Sequence, residues 1–402
     1  MSNNLAVVGL QWGDEGKGKI VDYLSNGFDA VARFNGGSNA GHTVVTENGR
    51  YTFHLLPSAA LNDKELLIAP GVVLDTEVLK DELPLVKKEK VLIDSKCTLV
   101  TPFEKEFDAY IEKMRGSMAI GTTKRGIGPA YAVRALRLSP RAMDLFSSNY
   151  DMRSFAEFYR AFGISIDDME KWMDNARKIL VGLLGDVSER VLDLNESGKR
   201  ILFEGSQGSL LDILYGSYPF VTSSHTTANY IPASLGINLA IDRVLGVAKC
   251  YSTRVGSGPF PTEIKDMLSD QIRELGQEYG ATTGRARRVG WLDLVSMRYA
   301  IRLNNNKEVA ISKLDILSKL KELKVCIAYR IDGSETENFF DALPRLADVE
   351  PVYDSLDPIY GYDFNSGVAG TLRKFVEYIE DRLKVKVSLL SYGAGRSKTV
   401  EL

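Results

Sequence analysis

The sequence predicts an α/β fold in which a large, mostly parallel central sheet is flanked by helices and carries one helical insertion. Three observations predict it. Short apolar runs alternate with longer stretches of helical spacing along the 402 residues, the first run ends in a glycine-rich loop that opens a helix, and no linker or repeat interrupts the chain. Leu5-Ala6-Val7-Val8 is short, apolar and closed by Gly9, so it reads as a buried strand, with Lys19 to Leu24 starting the next helix. Ala30-Val31-Ala32-Arg33-Phe34, Val91-Leu92-Ile93, Arg200-Ile201-Leu202-Phe203, Val244 to Cys250, Val309-Ala310-Ile311, Val325-Cys326-Ile327-Ala328 and Val387-Ser388-Leu389-Leu390 read as further strands. Between them, Phe103 to Met114, Met169 to Leu194, Trp291 to Leu303 and Leu372 to Leu383 place apolar residues at helical spacing. Residues 139–197 look mainly helical and read as an insertion packed on one side. No Ser/Gly/Pro-rich boundary sets them apart, so residues 1–402 are expected to form a single domain. In such a sheet, ligands sit beyond the carboxyl ends of the strands.

Composition excludes several classes. The 44% hydrophobic content and formal net charge of −3 suit a soluble globular enzyme, whereas a general nucleic-acid binder carries a basic excess. No apolar stretch approaches the roughly 20 residues of a membrane span and no signal-like segment opens the chain, so a cytoplasmic protein is expected. Cys97, Cys250 and Cys326 are odd in number and far apart, which points to buried thiols and away from a disulfide framework or thiolate zinc site.

The loop after the first strand carries the chemistry. Gly13-Asp14-Glu15-Gly16-Lys17-Gly18-Lys19 fits the Gly-x-x-x-x-Gly-Lys pattern of a P-loop-type nucleotide site, but Ile20 stands where a Ser or Thr would hold magnesium. Asp14 and Glu15 are the oxygen ligands available instead. A carboxylate inside an anion-binding loop makes sense with a cation, or a transferable proton, beside the nucleotide. In Arg33 to Thr43, small residues let the backbone approach a ligand, while Asn39, His42 and Thr43 offer amide, imidazole and hydroxyl contacts. A lone histidine also serves structure. If both loops line one crevice, Asp14 and His42 become base and acid of one proton transfer.

Three further segments carry ligand-binding chemistry. Ala119 to Pro129 reads either as a surface turn or as a phosphate grip built from backbone amides, hydroxyls and the nearby Arg137 and Arg141. Thr282-Thr283-Gly284 followed by Arg285, Arg287 and Arg288 suits a solvated face, an RNA contact or a clamp on carboxylates, which guanidinium groups grip through paired hydrogen bonds. Lys313-Leu314-Asp315, at the end of an apolar strand, resembles a guanine-reading segment whose carboxylate accepts from the base N1–H and exocyclic amine. With the phosphate loop it favours GTP over ATP. A GTP-binding switch module is the reading from another class, although the chain has no Asp-x-x-Gly segment to sense a γ-phosphate.

Taken together, these motifs identify a family. Gln11-Trp12-Gly13-Asp14-Glu15-Gly16-Lys17-Gly18-Lys19, Asn39-Ala40-Gly41-His42-Thr43, Arg125-Gly126-Ile127-Gly128-Pro129, Phe203-Glu204-Gly205-Ser206-Gln207-Gly208, Ser252-Thr253-Arg254-Val255-Gly256, Gly258 to Glu263, Gly280 to Arg285, Gly290-Trp291-Leu292-Asp293 and Lys313-Leu314-Asp315 closely resemble adenylosuccinate synthetases, in that family's order over nearly the whole chain. The resemblance implies a GTP-dependent ligase that joins L-aspartate to IMP through 6-phosphoryl-IMP, giving adenylosuccinate, GDP and phosphate on the route to AMP. It implies Asp14, His42 and Gln207 as catalytic residues and one Mg²⁺ per active site, held by Asp14 and the carbonyl of Gly41. GTP would be held by Gly13, Asp14, Glu15, Gly16, Lys17, Gly18, Lys19, Gly41, His42, Thr43, Arg287, Lys313, Leu314, Asp315, Ser391, Tyr392 and Gly393. IMP would meet Asp14, Asn39, Ala40, Gly41, Thr123, Gln207, Thr222, Arg285 and, across a homodimer, Arg137. Aspartate would meet Ala281, Thr282, Thr283, Gly284, Arg285 and Arg287. Neither nucleic acid nor membrane is an implied partner. Ser38, Lys124, Ala286 and Tyr392 depart from the family pattern, which leaves a paralogue acting on a modified purine nucleotide as an alternative.

Overall fold

All five residues of Leu5–Gly9 are buried, because this strand lies in the middle of a ten-stranded sheet with layers on both faces. The computed structural model describes residues 4–147, 150–280 and 284–402. In chain order the sheet's strands are β1 (Leu5–Gly9), β2 (Ala30–Arg33), β3 (Glu65–Ile68), β4 (Val91–Asp94), β5 (Leu184–Gly185), β6 (Ile201–Gly208), β7 (Arg243–Lys249), β8 (Glu308–Ser312), β9 (Lys386–Ser391) and β10 (Thr399–Glu401). Across the sheet they run β10-β9-β8-β7-β1-β6-β2-β3-β4-β5. All neighbours are parallel except β9 and β10.

Side chains of β1 alternate between two apolar layers, as strand geometry requires. Leu5 and Val7 pack with Ile20 and Val21 of helix Lys17–Leu24, whereas Ala6 and Val8 pack with Val187 and Val191 of helix Val187–Glu196. Burial on both faces explains why the strands read as continuous apolar runs. From β1 the chain builds one half of the sheet, returns through β6 between β1 and β2, and then builds the other half from β7. Strand order therefore reverses around β1, and a crevice opens at the carboxyl ends of β1, β6 and β7.

Two expectations are corrected. The run around Val325 forms strand Lys324–Ile331 outside the central sheet, paired with Leu292–Asp293, Ser334–Thr336 and Glu350–Ser355. Its apolar composition reports burial and does not select the partner strand. The stretch from Met169 to Leu194 is two helices, Met169–Leu180 and Val187–Glu196, parted by Gly182 at φ 77° and by β5. The segment read as an insertion thus supplies an edge strand of the central sheet. No described helix is long and apolar enough to cross a membrane.

Gly208, at the end of β6, marks how tightly the crevice is built. A Cβ there would lie 2.1 Å from the Gln11 carbonyl oxygen and 2.6 Å from the Gly13 nitrogen, both backbone atoms. Gly208→Ala is expected to destabilise the protein by about 1–3 kcal/mol, the usual cost of overpacking. A lower urea midpoint with an unchanged slope would register this loss.

Candidate active site

The phosphate loop folds around a carboxylate of its own. Glu15 is fully buried; its Oε1 accepts from the backbone N–H groups of Gln11 at 3.1 Å and Gly13 at 3.0 Å, and its Oε2 pairs with the Lys17 ammonium. The Glu15 carbonyl accepts from Ser312 Oγ at 2.7 Å, which ties the loop to the end of β8. With Glu15 turned inward, Asp14 is the acidic side chain of the loop that faces the crevice, on a left-handed backbone at φ 59°. Gln207, at φ 55°, and Lys313, at φ 66°, share this strained conformation, and such outliers cluster at functional sites.

A chain of buried charges ends on Asp14. Arg287 Nε lies 2.7 Å from Asp14 Oδ2, and its Nη1 donates to Glu278 Oε2 at 2.6 Å. Glu278 also pairs at 2.9 Å with the Lys249 ammonium, at the end of β7; both side chains are fully buried. Tyr251 donates to the other Glu278 oxygen. Burial alone would raise the Glu278 carboxyl, but the cations of Lys249, Arg287 and Lys313 hold it down at about 2.

His42 belongs to a second buried pair. It opens the hairpin His42–Thr46/Gly49–Phe53, packed so closely on helix Lys17–Leu24 that a Cβ at Gly18 would come within 2.8 Å of the His42 Cβ. Its Nδ1 meets Glu204 Oε1, while Ser58 donates to Glu204 through both Oγ, at 2.5 Å, and N, at 2.7 Å. Burial pulls the imidazole below its ordinary value, against the opposing pull of Glu204.

Two groups of side chains flank this centre. On one side, Asn39 Nδ2 donates to Thr222 Oγ1 at 3.3 Å, and Gln207, beside Gly13 and Gly36, carries a buried Oε1 with no partner. Arg285 Nη1 approaches Gly121, and Thr123 follows two residues on. On the other side, the Asp315 Oδ1 is buried without a partner, Cys250 donates to the Lys313 carbonyl, and the Ser391-Tyr392-Gly393 turn follows β9. Tyr392 stacks on Phe364 with ring centroids 4.6 Å apart. Ala40 is buried, and its carbonyl accepts from His54; Thr43 pairs with Thr52 across the hairpin.

The other candidate residues are engaged within the protein, exposed or outside the described residues. The amides of Ile120, Gly121 and Thr122 donate to Glu112, the Gly126 amide donates to Asp108, and Arg141 pairs with Asp144. Glu15 points into its own loop, and the Lys19 ammonium points into the turn after β9. Arg137 is exposed at the end of helix Ile127–Ala135, at φ 65°. Ala281, Thr282 and Thr283 lie outside the described residues, while Gly284 is exposed beside them. Sequence reasoning missed Lys249 and Glu278 altogether, and gave no role to Glu204 within its quoted motif. Isolated charges 29 residues apart carry no spacing signal.

The chain is similar to known proteins along its whole length. The family model described as adenylosuccinate synthetase matches residues 6–400. Adenylosuccinate synthetase of Thermoplasma acidophilum is 42% identical over 99% of this chain and 97% of its own, and that of Desulforamulus reducens is 40% identical over 100% and 99%. The fully ligated adenylosuccinate synthetase of Plasmodium falciparum superimposes with a TM-score of 0.91 at 32% identity, covering 100% of both chains. Succinoaminodeoxyadenylate synthetase of cyanophage S-2L, 20% identical with a TM-score of 0.66, shares the fold. On a family match from end to end, with solved and curated relatives spanning the full length, the chain belongs to the adenylosuccinate synthetase family.

Proposed function

We propose that this chain joins L-aspartate to IMP at the expense of GTP, releasing adenylosuccinate, GDP and phosphate. The observation that carries the reading is the position of Asp14, an exposed carboxylate within the phosphate loop that meets Arg287 at 2.7 Å, while Gln207 lies beside the adjoining Gly13. The 6-oxygen of hypoxanthine is a poor leaving group. Asp14 takes the N1 proton, the electron pair moves to O6, and O6 attacks the γ-phosphorus while the bond to the β-phosphate oxygen breaks toward GDP. The amine of aspartate then adds at C6, phosphate leaves with the electrons of the C–O bond, and the new C–N nitrogen gives up one proton to the departing phosphate or to solvent. Arg287 must release Asp14 before that proton transfer.

His42 and Gln207 support the transfer in this reading. Glu204 occupies Nδ1, so Nε2 is the ring nitrogen left for the phosphoryl group, and it donates there only as imidazolium. Gln207 offers its unpartnered amide oxygen to the purine. The backbone from Gly13 to Gly18 with Gly41 to Thr43 would hold the triphosphate, and Lys313, Leu314, Asp315, Ser391, Tyr392 and Gly393 the guanine. Asp315 suits that part because its buried, unpartnered oxygen is an acceptor awaiting a donor. Asn39, Ala40, Thr123, Thr222 and Arg285 would take IMP, with Arg137 reaching across a homodimer; Arg285, Arg287 and the turn at 281–284 would take aspartate.

The donor set suits Mg²⁺, which keeps waters and substrate phosphates as ligands and needs few protein oxygens. Asp14 and the Gly41 carbonyl would hold it, and it would neutralise phosphate oxygens. We place the enzyme in the cytoplasm, with residues 1–402 acting as one domain.

Asp14→Asn is expected to lower kcat by roughly 10²–10⁴-fold, the usual worth of a positioned base, with GTP binding retained. Following adenylosuccinate absorbance with GTP, IMP, aspartate and Mg²⁺ tests this; near-normal turnover would remove Asp14 from the base role. Because burial holds the His42 imidazole below its ordinary value, a triphosphate beside it must raise it, and GTP binding should draw in a proton near neutral pH. Calorimetry in buffers of differing ionisation enthalpy would detect the uptake, and Glu204→Gln should diminish it. Glu278→Gln strands the buried Lys249 ammonium and should cost about 3–5 kcal/mol of stability in chemical unfolding, much of it recovered in the Lys249→Met/Glu278→Leu double variant.

A further inference from the structure

The first lysine of a phosphate loop and the last are easily taken as equivalent phosphate ligands, but here they point in different directions. Lys19 sits on the first turn of helix Lys17–Leu24. Its ammonium donates to Ser391 Oγ at 2.7 Å, to the Gly393 carbonyl at 3.1 Å and to the Lys398 carbonyl at 2.7 Å. An ammonium has three N–H donors, and all three are committed to one turn. One helical turn further on, Asp22 receives both Arg396 Nε at 2.7 Å and Arg396 Nη2 at 2.6 Å, a forked pair in which Asp22 is buried. Tyr23 donates to Glu401 at 3.0 Å. One side of the phosphate-loop helix is therefore bolted to residues 391–401 by Lys19, Asp22 and Tyr23. The pull of Asp315 on the Lys19 ammonium places that carboxylate within electrostatic reach of the same bolt, although burial outweighs it and brings Lys19 down to about 8.

We infer that Lys19 is a positioning residue for base selection: it fixes the turn at 391–393 against the phosphate-loop helix, so that guanine recognition and triphosphate placement share one rigid frame. This rests on the reading of Asp315 and the 391–393 turn as the guanine site. Lys19 does not spend a donor on phosphate, and the Asp22–Arg396 pair braces the same turn from the next helical turn.

The test separates a base-positioning lysine from a phosphate ligand. The full-length chain, its Lys19→Met variant and its Arg396→Met variant are titrated calorimetrically with GTP, ATP and inorganic tripolyphosphate, in Mg²⁺. For Lys19→Met we expect GTP affinity to fall by roughly tenfold or more, as for loss of hydrogen bonds to a charged group, with tripolyphosphate binding and ATP binding changed by less than about twofold. Arg396→Met, which removes no lysine from the loop, should give the same selective loss, and it carries the test if Lys19→Met does not fold by circular dichroism. Equal weakening of all three ligands in Lys19→Met would make Lys19 a phosphate ligand and overturn the inference, as would unchanged GTP binding. A parent chain that shows no preference for GTP over ATP overturns the guanine-site reading itself, a separate failure.

Discussion

The carboxylate of Glu15 is the constraint on which the crevice depends. It fills the space that side chains at Gly9 and Gly208 would need: a Cβ at either position would lie within 2.5 Å of its Oε1. It turns the amides of Gln11 and Gly13 inward, neutralises Lys17, and through its carbonyl joins the end of β1 to the end of β8. The loop therefore holds its shape around an internal anion before any nucleotide arrives, and groups aimed in advance need little reorganisation during reaction. The same packing forces Asp14 outward onto a left-handed backbone, where it is available for chemistry.

Two other buried carboxylates extend this arrangement. Glu204 holds His42 by one ring nitrogen, and Glu278 holds Arg287 at Asp14 while balancing Lys249. Isolated charges at this depth would be very costly, and each is tolerated because a partner and further hydrogen bonds satisfy it. Neither carboxylate reaches into the crevice itself. Both fix the orientation of a group that does, so the reacting side chains are presented by fixed supports on the central sheet and its connections.

Much of the fold was legible in the sequence because parallel strands buried on both faces leave apolar runs bounded by charge or glycine. Leu5 to Val8, Val309 to Ile311 and Val387 to Leu390 follow that rule. Where the reading failed, the reason is local. Glu65–Ile68 is too short, and too close to charged residues, to stand out. The apolar spacing of Met169 to Leu194 continues through the break at Gly182. The run at Val325 is buried as expected, yet pairing depends on partners distant in sequence. At the site, the glycine loops, Asn39, His42, Gln207 and Asp315 announced themselves through motifs. Lys249 and Glu278 did not, since a buried ion pair between remote residues leaves no pattern, and the direction of Lys19 cannot be read from a loop motif that fits either orientation.

Salt acts on the Asp14–Arg287 pair in two opposing senses. Added ions screen the attraction between an anionic nucleotide and the cationic groups of the cleft, but they also loosen the partly exposed bond that must open before Asp14 is free. The charges of the cleft are paired with one another, and an incoming ligand exchanges partners with them. Its affinity then tracks ionic strength less steeply than a count of its arginines and lysines would suggest, which suits an enzyme working at whatever electrolyte concentration its surroundings impose.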